Sequence, residues 1–525
     1  MPSKEVQKKF PTVLLIMDGW GIAPKNPGNA IELAHKPVFD SLWKDYSHTK
    51  LEASGKDVGL APDQQGNSEA GHTNLGAGRV VDQDAVYVSK EISSGRFFKN
   101  AAFDSAFRHI KKNRSNLHIM GLLSNGQSAH SDPDHLLALL SWSRLKKVEN
   151  VYLHLFTDGR DSPPRSALKM VEALMRQLKN KEVRNKRTGE WIATITGRFY
   201  AMDRKKDWSR IGAAYEAMVA AKGLEAKSPQ EAITQSYNRN ETDEFIPPYV
   251  IKRKGRPIAQ IKDNDAIIFF NLRSDRARQL TKPFVQKDFN KLNPNSFKRS
   301  KVLKNLLFVT MSEFGPDLDS VLTAYPSEDL MGTLPSALKH LKQLYVAEKE
   351  KYAHITFFFN GGYADPIAGE DRLMIDSPNV SRYDKKPEMS VEEITAKIID
   401  SLDNYDFIAA NFAIPDMIGH TGNLQATIKS VEAIDQCLKK IKEEILSRKG
   451  FLIITADHGN AEKMLDLKTK EMYTEHTTNP VPFIIVTNRF AKKNLTAGRL
   501  ADVAPTVLEL MGQKKPKEMT GECLF

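Results

Sequence analysis

Short, uninterrupted apolar runs recur along the chain, and most of them stop at a polar residue or a glycine. Pro11 to Met17 stops at Asp18, Leu117 to Leu123 at Ser124-Asn125-Gly126, and Val151 to Phe156 at Thr157-Asp158-Gly159-Arg160-Asp161. Trp191 to Thr196 stops at Gly197-Arg198, Ala266 to Phe270 at Asn271-Leu272-Arg273, and Ile355 to Phe359 at Asn360-Gly361-Gly362. Phe407 to Ala410 leads to Asn411 and Asp416, and Phe451 to Ile454 to Thr455-Ala456-Asp457-His458. Runs without polar alternation read as strands covered on both faces, the pattern of a parallel sheet. Arg165 to Lys179, Val391 to Ser401 and Leu424 to Arg448 read as helices between them. Strands alternating with helices predict an α/β fold. The polar Lys282 to Lys304 stretch, which contains proline, reads as a long connector.

In such sheets ligands bind beyond the carboxyl ends of the strands, so the residues that stop the runs are the candidates for chemistry. Two groups emerge. Asp18, Asp416, His420, Asp457, His458 and His476 are carboxylates and imidazoles at the start and in the last quarter of the chain. Taken singly each could be a cap or a core residue; together they form a donor set suited to divalent cations. Asp416 and His420 are spaced to share one side of a helical turn, whereas the adjacent Asp457 and His458 are expected to diverge at a strand end. So many donors suit two metals close together, an arrangement that clamps both oxygens of a phosphoryl transfer.

The second group, Arg160, Asp161, Arg198, Arg204, Arg273 and Arg276, lies in the middle third. A guanidinium binds phosphate or carboxylate through a planar fork, so clustered arginines suit a small dianion. His130 and Asp161 are the proton-handling candidates there, and a carboxylate among arginines should be ionised at neutral pH. Metal donors on either side of an arginine group suggest one domain inserted into another. Gly66-Asn67-Ser68-Glu69-Ala70-Gly71-His72 adds a serine on a glycine-flanked turn, where a nucleophile can be approached closely.

Composition removes several classes. The 525 residues are 41% hydrophobic and 27% charged, ordinary for a folded protein with ample core. The net charge of +11 is dispersed in short runs such as Lys179 to Arg187, Lys252 to Arg256 and Lys514 to Lys517. That reads as solvated surface and attraction for small anions, with no nucleic-acid signature. Two cysteines, Cys437 and Cys523, form neither a zinc ribbon nor a disulfide framework, which suits a reducing compartment. The first residues lack an apolar signal core and no run reaches membrane-spanning length, so a cytoplasmic protein without a membrane partner is expected.

At this point the motifs carry a resemblance. Met17-Asp18-Gly19-Trp20-Gly21, Gly66-Asn67-Ser68-Glu69, Asn74 to Arg79, Thr157 to Pro164 and Gly197 to Arg204 occur in order, followed by Asn271 to Arg278. Glu350 to His354, Phe358 to Gly362, Pro387 to Ser390, Pro415 to Gly422 and Asp457 to Asn460 complete the series. Nearly end to end, the chain resembles the cofactor-independent (2,3-bisphosphoglycerate-independent) phosphoglycerate mutases of the alkaline phosphatase superfamily. The resemblance implies an isomerase of glycolysis and gluconeogenesis, with two α/β domains. An alkaline-phosphatase-like metal domain (residues 1–80 and 315–525) would be split by an inserted substrate-binding domain (residues 81–314). It implies two divalent ions, Mn2+ first, with Mg2+, Co2+ and Zn2+ as alternatives. Asp416, His420 and His476 would hold one, and Asp18, Ser68, Asp457 and His458 the other. Ser68 would be the nucleophile that becomes phosphoserine, with Lys351 beside it and Asp161 as base. His130, Arg160, Asp161, Arg198, Arg204, Arg273, Arg276 and Lys351 would bind phosphoglycerate. Because a trapped phosphoserine must be kept from water, the domains are expected to close over substrate, with hinges near Val80 to Gln83 and Ser312 to Pro316. A monomer is expected.

The sequence departs from the family in places. The loop Gly121 to Asp132 carries one added residue before His130, and Asp132 stands where the family has a histidine. Ala61 to Gln65 differs from the usual pattern, and Ala364 replaces a common acidic residue. None of these is an expected metal ligand. A phosphatase or phosphopentomutase of the same superfamily would share the metal donors but lack the Asp158-Gly159-Arg160-Asp161 and paired-arginine motifs. A non-catalytic polyanion-binding protein, or a sensor with a decayed site, is disfavoured by the intact Ser68 and ligand set.

Overall fold

The computed structural model describes residues 10–126, 128–183, 186–318, 320–326 and 329–525, with the side chains of 181–187 outside that description. The amino-terminal segment, Gln127 of the altered loop and residues 184 and 185 of the Lys179 to Arg187 basic run therefore lie outside the described residues. The chain forms two units, one from Met1–Gln83 and Asp329–Phe525 and the other from Asp84–Glu328.

The first unit is built on an eight-stranded sheet. Its spatial order is Asp371–Ile375, Gln343–Glu348, Phe407–Phe412, Thr12–Met17, Phe451–Thr455, Val481–Val486, Ser47–Glu52 and Gly498–Arg499. Thr12–Met17 is buried along its whole length and runs parallel to both of its neighbours. The register aligns Met17 with Phe412 and Ile16 with Thr455. Asp18, the Asn411–Asp416 segment and Asp457-His458 therefore leave the sheet at the same edge.

The second unit has its own sheet. Val321–Thr323, Leu307–Thr310, Ala266–Phe269, Leu117–Leu123, Asn150–Thr157 and Lys186–Gly197 run parallel in that order. Tyr249–Arg253 and Leu224–Ala226 follow at the far edge. Alternate residues of the strands feed two cores, Leu117 and Ile119 into one and Met120 and Leu122 into the other. That burial on both faces is why these strands are apolar without alternation. Their carboxyl ends carry His130, Asp158 to Asp161, Arg198 and Arg273 to Arg276.

Several expectations are corrected. The return to the first unit expected after residue 314 comes later, at Asp329. Phe314 and Leu318 belong to a core of the second unit, and Asp317 is tied there by Arg278 at 2.7 Å and Lys282 at 2.9 Å. Ile355 to Phe359 is a helical turn, not a strand. Ile355, Thr356 and Phe359 are buried while Phe357 is exposed, a helical periodicity that a run of mostly apolar residues conceals. The adjacent strand is Gln343–Glu348, whose polar ends hid it. The connector Lys282 to Lys304 contains the end of helix Arg278–Val285 and the short helix Phe289–Leu292. Ser68 is not on a turn; it opens the helix Ser68–Ala77, which Asn67 caps by accepting the Ala70 N–H. The helices expected near Arg165, Val391 and Leu424 are Ala167–Gln177, Val391–Ser401 and Leu424–Ser447. Among the described residues no helix is long and apolar enough to cross a membrane.

In the second unit a buried polar chain runs from Asp265, just before strand Ala266–Phe269, across three strands. Asp265 Oδ2 lies 3.1 Å from His118 Nε2, His118 Nδ1 lies 2.9 Å from His154 Nε2, and His154 Nδ1 lies 2.9 Å from Thr194 Oγ1. Burial, then the neighbouring His118, holds the His154 imidazole well below its usual range. An unfolded histidine takes up a proton near pH 6.5, whereas folded His154 stays neutral at lower pH. The unfolded state thus binds more protons as pH falls below about 6.5, and stability drops through that window. Between pH 7.5 and 5.5 the wild type should lose about 1 kcal/mol more than His154→Gln. Urea unfolding of both proteins at the two pH values checks this, and equal losses would refute it.

Candidate active site

Two clusters of polar side chains stand at the strand ends, one in each unit. In the first unit, helix Ile414–Gly419 carries Asp416 and places His420 at its end. His420 Nδ1 lies 2.8 Å from the Thr474 carbonyl and His476 Nδ1 lies 2.8 Å from the Gly66 carbonyl, so each Nδ1–H donates. Their Nε2 atoms are then turned toward one another, 3.0 Å apart, and lie 3.3 and 3.2 Å from Asp416 Oδ1. Neutral imidazoles in this tautomer bring two lone pairs and a carboxylate oxygen to one point. Ligand atoms of a four-coordinate cation with bonds of 2.0–2.1 Å stand about 3.3 Å from each other, so the trio fits a metal.

The second donor group is deeper. Asp18 Oδ1 lies 3.4 Å from His458 Nε2, and His458 Nε2 lies 3.6 Å from Asp457 Oδ2 and 3.0 Å from Ser68 Oγ. Asp457 and His458 therefore converge rather than diverge. They sit in the turn beyond strand Phe451–Thr455, where the alternation of strand side chains no longer applies. Both carboxylate oxygens of Asp457 are buried without a hydrogen-bond donor, although Oδ2 lies 3.2 Å from His72 Nδ1. Orphaned carboxylate oxygens at such depth are costly unless a cation faces them. The imidazole of His458 responds to the same field. Burial pulls it down, but Asp457 first, then Asp18 and Asp416, push it up to about 9. Around this group Asp18, Asp416 and His458, and likewise Asp18, His72 and Asp457, bring ligand-type atoms within 4.8 Å of one another, as Asp416, His420 and His476 do in the first.

Lys351 joins the two groups. Its ammonium donates to Ser68 Oγ at 2.8 Å, Asp18 Oδ1 at 2.9 Å and Asp416 Oδ2 at 2.7 Å. Burial alone would lower its pKa, but Asp18 and Asp416 outweigh it and raise it above the usual lysine range. Burial would in turn raise both carboxylates, and the Lys351 ammonium holds them low.

Sequence reasoning overlooked the groups that brace these residues. Asn411 donates to Asp18 Oδ2 at 2.9 Å and to His72 Nε2 at 3.0 Å. His72 Nδ1, 2.9 Å from the Ser68 carbonyl, donates to it, so both ring nitrogens of His72 are engaged and it does not present a lone pair to a metal. Asn460 donates to Asp416 Oδ1 at 3.2 Å. The ring of His354 lies 5.6 Å from that of His72. His72, Asn411 and Asn460 lie inside motifs already noted, but nothing local distinguishes a bracing side chain from a bystander.

In the second unit Arg198 is buried and bridges Asp158 and Asp161, reaching Asp161 Oδ2 at 2.7 Å. Ser128 Oγ donates to the same Asp161 oxygen at 2.6 Å. Burial raises the Asp161 carboxyl, but Ser128 and Arg198 outweigh it and hold it below the usual range, ionised at neutral pH. Burial lowers Arg276, and so do the nearby charges of Arg198, Arg204 and Arg160. His130 stands in the same field. Burial first, then Arg198 and Arg273 against the raising effect of Asp275 and Asp161, brings it to about 4, so it is neutral at pH 7. Arg160, Arg204 and Arg273 are largely exposed, facing Glu244 at 3.8 Å, Asp275 at 3.4 Å and Asp275 at 3.8 Å respectively. Asp158, Ser128 and Asp275 were not singled out from sequence. In the altered loop, Asp132 caps helix Pro133–Leu145 by accepting the Asp134 N–H at 2.8 Å, so that substitution has a structural use.

Residues 10–515 match the model of the Metalloenzyme superfamily. The 2,3-bisphosphoglycerate-independent phosphoglycerate mutase of Clostridium acetobutylicum is 48% identical, over 98% of this chain and 99% of its own. That of Clostridium perfringens is also 48% identical, over the same shares of the two chains. Among solved structures, a phosphoglycerate mutase of Leishmania mexicana, crystallised at low cobalt concentration, superimposes with a TM-score of 0.75. It is 30% identical and is matched over 100% of this chain and 99% of its own. With its motifs in family order, and with relatives this similar from end to end, the chain belongs to the 2,3-bisphosphoglycerate-independent phosphoglycerate mutases of the metalloenzyme superfamily.

Proposed function

We propose that this enzyme interconverts 3-phosphoglycerate and 2-phosphoglycerate through a phosphoserine on Ser68, without 2,3-bisphosphoglycerate. The single observation that carries the reading is Ser68 Oγ held 2.8 Å from the Lys351 ammonium and 3.0 Å from His458 Nε2, at the amino-terminal end of a helix. Those surroundings favour an anionic oxygen. Asp416, His420 and His476 would hold one divalent cation and Asp18, Ser68, Asp457 and His458 a second, with Mn2+ the first candidate. Such ions supply positive charge that lowers the serine pKa and offsets charge on the transferring phosphoryl group.

The remaining work falls to side chains. Arg160, Arg198, Arg204, Arg273, Arg276 and His130 bind the phosphoglycerate, through charge and, from His130, as a neutral partner. Ser68 Oγ attacks phosphorus, the phosphoryl group passes to it, and the serine proton ends on the departing hydroxyl oxygen. Lys351 keeps its hydrogen bond to Oγ as the negative charge moves. The glycerate stays among the arginines and reorients. Asp161 takes the proton of the other hydroxyl, whose oxygen attacks the phosphoserine; the bond from phosphorus to Ser68 Oγ breaks, Oγ takes up a proton, and Asp161 gives up the one it accepted, so the cycle closes with no net proton change.

Removal of metal tests the reading. Chelated protein is expected to show no conversion of 3-phosphoglycerate in the absence of 2,3-bisphosphoglycerate, and Mn2+ is expected to restore it. Phosphate release without isomerisation would make the enzyme a phosphatase, and full activity after complete metal removal would refute the metal-dependent reading.

A further inference from the structure

Glu462 is buried and takes no part in the reaction as written above. Its carboxylate nevertheless accepts four hydrogen bonds. Oε2 accepts from the backbone N–H groups of Gly21 at 3.1 Å and Asn460 at 2.8 Å. Oε1 accepts from the Asn479 amide at 2.9 Å and from the Thr477 hydroxyl. The donors stand on three separate segments, and each segment carries a proposed ligand. Gly21 lies just beyond Asp18, Asn460 just beyond Asp457-His458, and Thr477 directly after His476. Two further bonds knit the same segments, Thr477 N–H to the Gly459 carbonyl at 2.9 Å and Ala461 N–H to the Gly19 carbonyl at 3.0 Å.

The chain makes room for this carboxylate. A Cβ at Gly21 would fall on the Glu462 carboxyl group, and a Cβ at Gly459 would fall on Glu462 Oε1 and Thr477 Oγ1. Glycine at both positions is a requirement of close approach, not of turn geometry. All four donors are neutral, so the carboxylate is matched as an acceptor of directed N–H and O–H groups. A carboxamide could keep only one of the two oxygens as acceptor and would turn its NH2 against the donors of the other.

We infer that Glu462 is a positioning residue that sets the spacing of the three ligand-bearing loops, and with it the affinity of the site for divalent cations. This rests on the ligand assignment under Proposed function. A residue of merely structural value would affect stability and leave metal affinity alone.

The test titrates metal-free, full-length wild type, Glu462→Gln and Asp457→Asn with Mn2+ by calorimetry, and measures kcat and KM for phosphoglycerate across Mn2+ concentration. Glu462→Gln is expected to bind Mn2+ about tenfold more weakly. Its kcat should recover at saturating Mn2+, with KM unchanged, because the arginines are not held by these loops. Wild-type Mn2+ affinity with only a lowered thermal midpoint overturns the inference while leaving the ligand assignment intact. Wild-type affinity in Asp457→Asn removes the ligand assignment, and the inference with it. If Glu462→Gln does not fold, Thr477→Val removes a single donor at similar volume and should weaken Mn2+ binding about fivefold. Unchanged affinity in that variant also overturns the inference.

Discussion

Ser68→Ala is expected to lower the mutase rate by at least about 10^4-fold, in keeping with the cost of deleting a covalent nucleophile. The side chain is small and nearly buried, so its loss removes one oxygen and little packing. The oxygen it removes is the one toward which Lys351 and His458 point. Phosphoglycerate binding should persist, because the arginine cluster belongs to the second unit. Steady-state kinetics gives the rate, and peptide mass spectrometry of acid-quenched wild type should show phosphate on Ser68 that is missing from the variant. Conversion by Ser68→Ala within tenfold of wild type would rule out a phosphoserine route.

Lys351→Met should have the second largest effect, and on two properties at once. The variant keeps most of the side chain's apolar stem but leaves Asp18 and Asp416, both buried, without their shared cation. Breaking a buried pair by removing one partner costs about 3–5 kcal/mol. Metal-free Lys351→Met should therefore unfold at clearly lower denaturant than metal-free wild type. With metal supplied the site can recover part of that stability, but not the donor to Ser68 Oγ, so kcat should stay about 10^2–10^3-fold low. Urea unfolding of both chelated proteins and kinetics at saturating Mn2+ separate the two effects. Equal stability of the chelated proteins would show that Lys351 does not balance the carboxylates.

Much of this site could be read in the sequence because of where it sits. A strand buried on both faces is mostly apolar, so the cluster of polar residues and glycines that follows the run marks the carboxyl end of the sheet. Asp18, Asp161, Arg198, Asp416 and Asp457 all follow such runs. The same rule failed where apolar composition hid its period. Ile355 to Phe359 reads as a strand, yet it is a turn of helix with one exposed phenylalanine. Local geometry also misled for Asp457 and His458, which converge because the chain has left the strand before it reaches them. The bracing residues were illegible for another reason. His72, Asn411 and Glu462 act through partners far off in the chain, and local pattern carries no trace of which donor will face which acceptor. The glycines at 21 and 459 were the trace available for Glu462, and they speak only once the loops are seen together.

The position of Thr12–Met17 in its sheet has a consequence for biosynthesis. This strand leaves the ribosome long before both of its parallel neighbours, Phe407–Phe412 and Phe451–Thr455. The whole second unit is made in the interval and has its own cores in which to fold. A fully apolar strand must meanwhile wait without partners, the situation that invites aggregation or chaperone binding. The donor set is not complete until His476 has been added, so nascent chains gain the full capacity to hold metal only after the second unit has been made.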